Sequence, residues 1–272
     1  MTETAEHDLV KAAKQGDRAA LDTLIERHQD RVFGFGMKMC GGDPEDAKEV
    51  LQETLLAMSR TLRDFRGDSS VSTWLYTIAR SFCIKKRRRT KGAPAEHEVL
   101  DPAAEARLEG AARGPEQALH DRQIREALAA ALEELDPESR EVLVLRDLEG
   151  LTAPEVAAVT GASVEAIKSR LHRARVAVRG RLAPFLGEEE SQSPAKPSCP
   201  DVLTLYSKKL EDQVEPGLCA QMEKHLEGCT HCKSLCDSLK KTLAVCRSSS
   251  ARHVPAHVAE ELRAAVRAAL ER

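Results

Sequence analysis

The chain has 272 residues, 42% of them apolar and only 3% aromatic, and its 41 basic and 44 acidic residues leave a formal charge of −3. This length suits two or three small domains, and aliphatic side chains with so few aromatics favour packed helices over sheets. The near-neutral total excludes an overall basic chain, so a nucleic-acid site must come from a local cluster of charge. The first 17 residues are acidic and lack the apolar core of a signal peptide, and no apolar run reaches the roughly 18 residues of a membrane span. We therefore expect a cytoplasmic, all-α protein.

Residues 5–90 are predicted to form a helical domain. Asp43 followed by Pro44 is a strong helix start, because an aspartate caps the first amide groups and proline fits the first turn. Two apolar stripes follow at helical spacing, the first at Val50, Leu51, Thr54, Leu55 and Met58 and the second at Trp74, Leu75, Ile78, Ala79 and Phe82. Cys40 and Cys83 fall on apolar helices, where we expect plain core residues.

The rest of the chain divides at two stretches that lack helical periodicity. Residues 91–115 and 187–198 are rich in Ala, Gly, Pro, Ser and Glu, which predicts flexible linkers. Between them, residues 116–186 resume a helical pattern. Residues 199–272 hold most of the cysteines and close on an amphipathic helix, with apolar residues in register at Val258, Leu262, Val266 and Leu270.

A helix-turn-helix pattern begins at Thr152. Thr152 and Glu155 match a capping box at the start of a short helix. Gly161 supplies the left-handed conformation that ends this helix, and Ser163 can cap the next one. Two short helices joined by a tight glycine turn are typical of DNA-binding domains.

The outer face of the second helix concentrates positive charge. Basic side chains there suit phosphate contacts, and residues near the start of such a helix reach base edges in the major groove. A solvated basic helix is the alternative interpretation. The residues predicted to bind DNA on this face or beside it are Ser163, Glu165, Lys168, Ser169, Arg170, His172, Arg173 and Arg175.

The cysteine-rich segment predicts a metal site. His225 precedes Cys229 by about one helical turn, and the Cys-x2-Cys spacing to Cys232 lets two thiolates meet one ion from a single turn. With Cys199 as the fourth ligand, three sulfurs and one imidazole form a common tetrahedral set for zinc. The remaining candidate ligands of the segment are Cys219, Cys236 and Cys246.

This surplus of thiols goes beyond the four ligands of a structural zinc site. It suits either a signal ion, with copper, zinc and cadmium as candidates, or an oxidation-sensitive switch around a structural zinc. The sequence leaves both interpretations open. A thiol oxidoreductase that uses Cys229 and Cys232 is disfavoured, because redox Cys-x-x-Cys pairs usually follow a strand and no strand pattern is present. Since no catalytic motif appears either, we do not expect an enzyme.

Two long stretches resemble a known family. The run LDPESREVLVLRDLEGLTAPEVAAVTGASVEAIKSRLHRARVAVRGRL is similar to the −35-reading domain of extracytoplasmic-function (ECF) sigma factors of bacterial RNA polymerase. The run GDPEDAKEVLQETLLAMSRTLRDFRGDSSVSTWLYTIARSFCIKKRRR resembles the polymerase-binding and −10-melting domain of the same family. The two matches, in this order, cover residues 5–186.

The resemblance implies a transcription initiation factor that acts with core RNA polymerase and promoter DNA. It assigns polymerase binding to Asp46, Glu49, Gln52 and Glu53, although Lys48 interrupts the usual acidic pattern. It assigns the −10 strand, with a base flipped into the FRGDSS loop, to Arg66, Asp68, Ser69, Ser70, Arg80, Lys85, Arg87 and Arg88. An operator-binding repressor is the competing interpretation, and it leaves the N-terminal half unexplained.

Residues 199–245 resemble zinc-binding anti-sigma domains, whose motif is His-x3-Cys-x2-Cys with a cysteine upstream. Fusion of such a domain to a sigma factor is similar to the CorE-like group of metal-dependent ECF factors. The resemblance implies regulation through an intramolecular contact between the cysteine-rich tail and the sigma domains. A tether raises the effective concentration of the tail to the millimolar range, so that weak contacts suffice. Whether metal activates or inhibits stays open at this point.

Overall fold

The computed structural model describes residues 3–90, 114–187, 196, 198–249 and 253–270. All regular secondary structure in these ranges is helical, which confirms the predicted all-α fold. The helices are α1 (Glu3–Lys14), α2 (Arg18–Met39), α3 (Pro44–Thr61), α4 (Val71–Thr90), α5 (Pro115–Glu134), α6 (Pro137–Leu143), α7 (Ala153–Thr160), α8 (Val164–Leu182), α9 (Val202–Lys209), α10 (Pro216–Gly228), α11 (Thr230–Ser248) and α12 (Ala256–Leu270). The two predicted linkers lie almost entirely outside the described residues.

The helices group into two compact units. The first contains α1 to α4 together with α12, and the second contains α5 to α11, except that the last three residues of α7 group with the first. The C-terminal helix thus belongs to a different unit from the cysteines that precede it. Among the described residues, no helix is long and apolar enough to cross a membrane.

Aspartate caps fix the starts of two helices in the first unit. The Asp17 carboxylate accepts hydrogen bonds from the amides of Ala19 and Ala20 at the start of α2. Asp43 does the same for α3, with Pro44 in the first turn, which confirms the predicted helix start. The first predicted apolar stripe, from Val50 to Met58, is buried throughout.

A close approach between α2 and α3 shapes the core of the first unit. Gly36 lies against Ala47, and a methyl group at Gly36 would be 3.1 Å from the Ala47 Cα and 3.3 Å from its Cβ. Glycine at this position therefore sets how near the two helices can pack. Beside this contact, the rings of Phe35 and Tyr76 pack with their centroids 5.3 Å apart, which joins α2 to α4.

The second unit contains the predicted helix-turn-helix. Thr152 and Glu155 form a reciprocal capping box at the start of α7, and Gly161 ends α7 with a φ of +76°. The Ser163 hydroxyl accepts a hydrogen bond from the Ala166 amide and caps α8. These three predictions are confirmed. The inner face of α8 is buried at Ile167, Leu171, Ala174 and Val178, as its spacing predicts.

We expect Gly36→Val to lower the free energy of unfolding by about 1–3 kcal/mol, because the branched side chain must push α3 away from α2. Gly180→Val is the matched control, since a methyl group at Gly180 meets nothing within 4 Å, and it should change stability by less than about 0.5 kcal/mol. Denaturant unfolding followed by circular dichroism compares the two. Equal effects would mean that the contact between Gly36 and Ala47 does not limit packing.

Candidate functional site

Four predicted metal ligands meet in the second unit. Cys199 lies just before α9, His225 is in the last turn of α10, Cys229 joins α10 to α11, and Cys232 is in the first turn of α11. One ligand atom from each of the four residues lies within 4.8 Å of the others. The sulfurs of Cys199 and Cys229 are 3.8 Å apart, and a tetrahedral zinc site with Zn–S bonds of about 2.3 Å places two sulfurs at about this separation.

The chemistry of this cluster fits a metal ion. The Nε2 atom of His225 is buried and has no hydrogen-bond partner among the residues that the structure describes. Such an orphaned nitrogen is costly unless it binds something. Burial raises the pKa of the Cys232 thiol to about 12, whereas a hydrogen bond from the Cys232 backbone lowers the pKa of Cys229. A bound cation would supply the charge that holds all three sulfurs as thiolates.

The other three candidate ligands lie outside this cluster. Cys236 and Cys246 are buried on α11, and Cys219 is half-buried on α10. Burial raises the pKa of Cys236, as expected for a thiol on the buried face of α11. In this arrangement, the four-residue cluster is complete without them.

A buried ion network lies in the same unit, on the inner side of α8. The guanidinium of Arg175 on α8 donates two hydrogen bonds of 2.7 Å to the carboxylate of Asp147. It donates a third, also 2.7 Å, to Glu211, which follows α9 in the cysteine-rich tail. Its remaining hydrogen bonds go to the hydroxyl and the carbonyl of Ser207. Burial alone would lower the pKa of Arg175, but the bonds to Asp147 and Glu211 raise it, so the side chain stays charged.

Further tail contacts surround this network. Lys168 donates to the Glu211 carbonyl at 3.0 Å, and Arg146 pairs with the Glu211 carboxylate at 3.1 Å. The His172 ring lies 3.0 Å from the Thr204 hydroxyl on α9. One helical turn beyond Arg175, Arg179 donates to Ser238 on α11 at 3.3 Å. The tail thus contacts α8 over about three turns.

The predicted −35 residues divide by exposure. Ser163, Glu165, Ser169 and Arg173 are exposed, whereas Lys168, Arg170 and His172 are half-buried and Arg175 is 1% exposed. Lys168 and His172 contact the tail, and Arg170 pairs with Glu138 on α6. In this arrangement, therefore, half of the predicted DNA contacts are engaged within the protein. Sequence reasoning missed the partners Asp147, Ser207 and Glu211, because no local pattern marks a carboxylate that is buried only by tertiary packing.

The predicted −10 residues lie in the loop before α4 and along α4 itself. Arg66, Asp68, Ser69 and Ser70 are exposed in the loop before α4, where the Ser70 hydroxyl also accepts a bond from the Thr73 amide and so caps the helix. Trp74 is half-buried and stacks on Phe65 at 4.8 Å, so that it supports this loop. On α4, Arg80 and Arg87 are half-buried and Lys85 is exposed. The side chain of Arg88 lies outside the described residues.

The predicted polymerase-binding residues form part of one surface of α3. Glu49 and Glu53 are exposed, and Asp46 and Gln52 are half-buried. Lys86 on α4 pairs with Asp46 at 2.8 Å and also with Glu49. This ion cluster leaves the acidic stripe mostly open to solvent.

The C-terminal helix α12 packs on the other flank of α3 and on α2. Its buried face contains the predicted residues Val258, Leu262 and Val266; the side chain of Leu270 lies outside the described residues. An antiparallel series of polar contacts runs along α2, in which Asp22 pairs with Arg267, Glu26 with Arg263, and Asp30 with His253 and the amide of Val254. On α3, Lys48 lies 3.6 Å from Glu261.

Comparison with known proteins agrees with this organisation. The family models of sigma-70 region 2 and sigma-70 region 4 match residues 24–92 and 125–178. The RNA polymerase sigma-H factor of Pseudomonas aeruginosa is 31% identical over 197 residues, which cover 69% of this chain and 99% of the relative. The ECF RNA polymerase sigma-E factor of Escherichia coli is 30% identical over 186 residues, or 65% of this chain and 94% of the relative. A solved structure of CnrH in complex with the cytosolic domain of CnrY aligns with a TM-score of 0.46 and 28% identity, over 66% of this chain and 98% of CnrH.

Both matched regions fall within the stretch that carries the sequence resemblance, and the cysteine-rich tail begins beyond them. The two relatives are matched over nearly their whole length. The chain belongs to the ECF family of RNA polymerase sigma factors.

Proposed function

We propose that this sigma factor is regulated in cis by its own tail. The segment from Cys199 onward binds a metal ion at Cys199, His225, Cys229 and Cys232, and in the metal-bound form it covers one side of the promoter-recognition helix α8. The observation that carries this proposal is the set of contacts between Glu211 and the basic side chains Arg175, Lys168 and Arg146. Promoter binding then requires the tail to leave α8.

The tail competes with DNA for the same side chains. Lys168 and His172, which the family resemblance assigns to the −35 element, are held by tail atoms at 3.0 Å. A phosphate or base contact from either residue would have to replace the tail partner. Docking of the tail on α8 therefore lowers the affinity for promoter DNA without altering the fold of the helix-turn-helix.

The ligand positions couple the metal site to this contact. Cys199 precedes Glu211 in the chain and His225 follows it, so the two ligands bracket the segment that reaches α8. When bound, a metal ion supplies a crosslink between the start of α9 and the α10–α11 pair. Fixing both ends of the segment reduces the conformational entropy that Glu211 must lose on docking. Loss of the ligand set should accordingly release the tail.

The helix α12 provides a second attachment, on region 2. Lys48, which pairs with Glu261, lies one turn before the predicted polymerase-binding residue Gln52 on α3. A helix docked on this flank of α3 borders the surface that the resemblance assigns to core polymerase at Gln52, and it narrows access from that side. The tail thus restrains both sigma regions, each within its own unit.

Cys232→Ser should abolish stoichiometric zinc binding, because it removes one of four ligands, and it should increase transcription by releasing the tail. Cys219→Ser is the matched control, since Cys219 lies outside the cluster; it should retain one zinc per chain. Metal analysis of the purified proteins and run-off transcription with core polymerase measure the two effects. Loss of zinc in the Cys219 variant would contradict the four-residue site.

The same assay separates metal gating from a redox switch. Titration of zinc, cadmium and copper under reducing conditions should change transcription by the wild-type protein and leave the Cys232 variant unaffected. A wild-type protein that ignores metals and responds only to peroxide would instead support a thiol switch around a structural zinc. No transcription by any variant would contradict this use of the tail altogether.

Glu211→Gln should raise promoter affinity by about tenfold or more, because removing one partner of a buried ion pair costs about 3–5 kcal/mol and here destabilises only the closed arrangement. Arg175 keeps its pair with Asp147, so the recognition domain stays folded. Glu223→Gln is the matched control, as Glu223 is an exposed tail carboxylate that pairs with Lys209. Filter binding of holoenzyme to a promoter selected from a randomised library compares them. Indistinguishable variants would show that Glu211 does not hold the tail on α8.

A charge swap tests the attachment of α12. Arg267→Asp places two carboxylates opposite each other and should make amide exchange in α12 severalfold faster, with tighter binding to core polymerase. Adding Asp22→Arg restores opposite charges and should reverse both effects. Hydrogen exchange with mass spectrometry and a pull-down with core polymerase provide the measurements. Failure of the second substitution to rescue the first would argue against the pairing.

A further inference from the structure

A second cysteine pair lies in the first unit, away from the metal cluster. Cys40 ends α2, where its amide donates to the Gly36 carbonyl, and Cys83 lies on α4. Their sulfurs are 3.8 Å apart, although 43 residues separate them in the chain. Cys83 is 4% exposed, which confirms its predicted core position, whereas Cys40 is only half-buried. One thiol of the pair is thus reachable from solvent and the other is enclosed.

The surroundings favour reactivity at the outer thiol. The hydrogen bond with Cys83 lowers the pKa of Cys40 and outweighs the opposite effect of burial. Lys86 also lowers it, while Asp46 and Asp43 raise it. Redox-sensitive cysteines combine a stabilised thiolate, solvent access and a neighbouring thiol that resolves the first oxidation product. Cys40 has the first two properties, and Cys83 supplies the neighbouring thiol.

We propose that Cys40 and Cys83 form a reversible disulfide when the protein meets a hydroperoxide, with Cys40 attacking and Cys83 resolving. The Cys40 thiolate attacks one peroxide oxygen, the O–O bond breaks, and the products are a sulfenic acid and hydroxide. The Cys83 thiol then attacks the Cys40 sulfur, an S–S bond forms, and the sulfenic oxygen leaves as water. The two sulfurs are oxidised and the peroxide is reduced, so the electrons balance.

The geometry requires little movement. The two sulfurs must approach from 3.8 Å to a bond length of about 2.05 Å, and both lie within the first unit, Cys40 half-buried and Cys83 buried. The bond would tie the end of α2 to α4 next to Lys86, whose partners Asp46 and Glu49 are predicted to bind polymerase. Oxidation therefore acts on region 2 directly, independently of the metal site in the tail and of its proposed role.

Disulfide mapping of the full-length, zinc-loaded protein tests this inference. After mild hydrogen peroxide treatment, non-reducing peptide mass spectrometry should show the Cys40 and Cys83 peptides linked, with the loss of two hydrogen atoms. In most of the oxidised protein, iodoacetamide should no longer alkylate Cys40. Treatment with a dithiol reductant should make Cys40 reactive to iodoacetamide again. Peptide mapping separates this event from oxidation of the six tail cysteines, which a count of total thiols would not do.

Two substitutions keep the assignment of roles testable. In Cys83→Ser the resolving thiol is missing, so a sulfenic acid should persist at Cys40 and be trapped by dimedone. In Cys40→Ser the enclosed Cys83 should not react. A wild-type protein whose tail thiols oxidise while Cys40 stays reduced overturns the inference, as does a Cys40 that links to tail cysteines in preference to Cys83.

Discussion

The guanidinium of Arg175 has five N–H donors, and the structure satisfies them from two sources. Asp147, from the recognition domain itself, accepts two of the five hydrogen bonds, and Glu211 and Ser207 of the tail accept the others. A buried guanidinium is stabilised when all its N–H groups have partners. The tail therefore acts as part of the interior of region 4 while it is docked.

The metal cluster and the ion network illustrate two different kinds of crosslink. The cluster closes a loop within the tail, and the network attaches that loop to α8 through Glu211. In the proposed regulation both are needed, because a docked carboxylate on a flexible segment loses conformational entropy and a rigid loop without Glu211 lacks its charged anchor. A signal at the cysteines would then reach helix α8 through Glu211.

Local sequence signals predicted most of the fold and the four residues that cluster around Cys229. Helix caps, left-handed glycines and apolar stripes depend on neighbours within one or two turns, so the local sequence is enough to predict them. Examples are the caps at Asp43, Thr152 and Ser163 and the left-handed Gly161. The four residues of the cluster were recognisable because zinc ligands occur at characteristic spacings. Glu211 was not, since its burial arises only from packing between segments that are 36 residues apart. For the same reason, the partly exposed Cys40 opposite Cys83 was mistaken for an ordinary core residue.

The bidentate pair of Arg175 with Asp147 also has an evolutionary consequence. Because region 4 already neutralises this arginine with its own aspartate, departure of the tail leaves no isolated charge in the interior of the domain. An ancestral domain with this pair could gain a fused regulator, or lose one, without redesign of its core. A newly fused segment then needs only one carboxylate that can reach this arginine, and a single codon change can supply it.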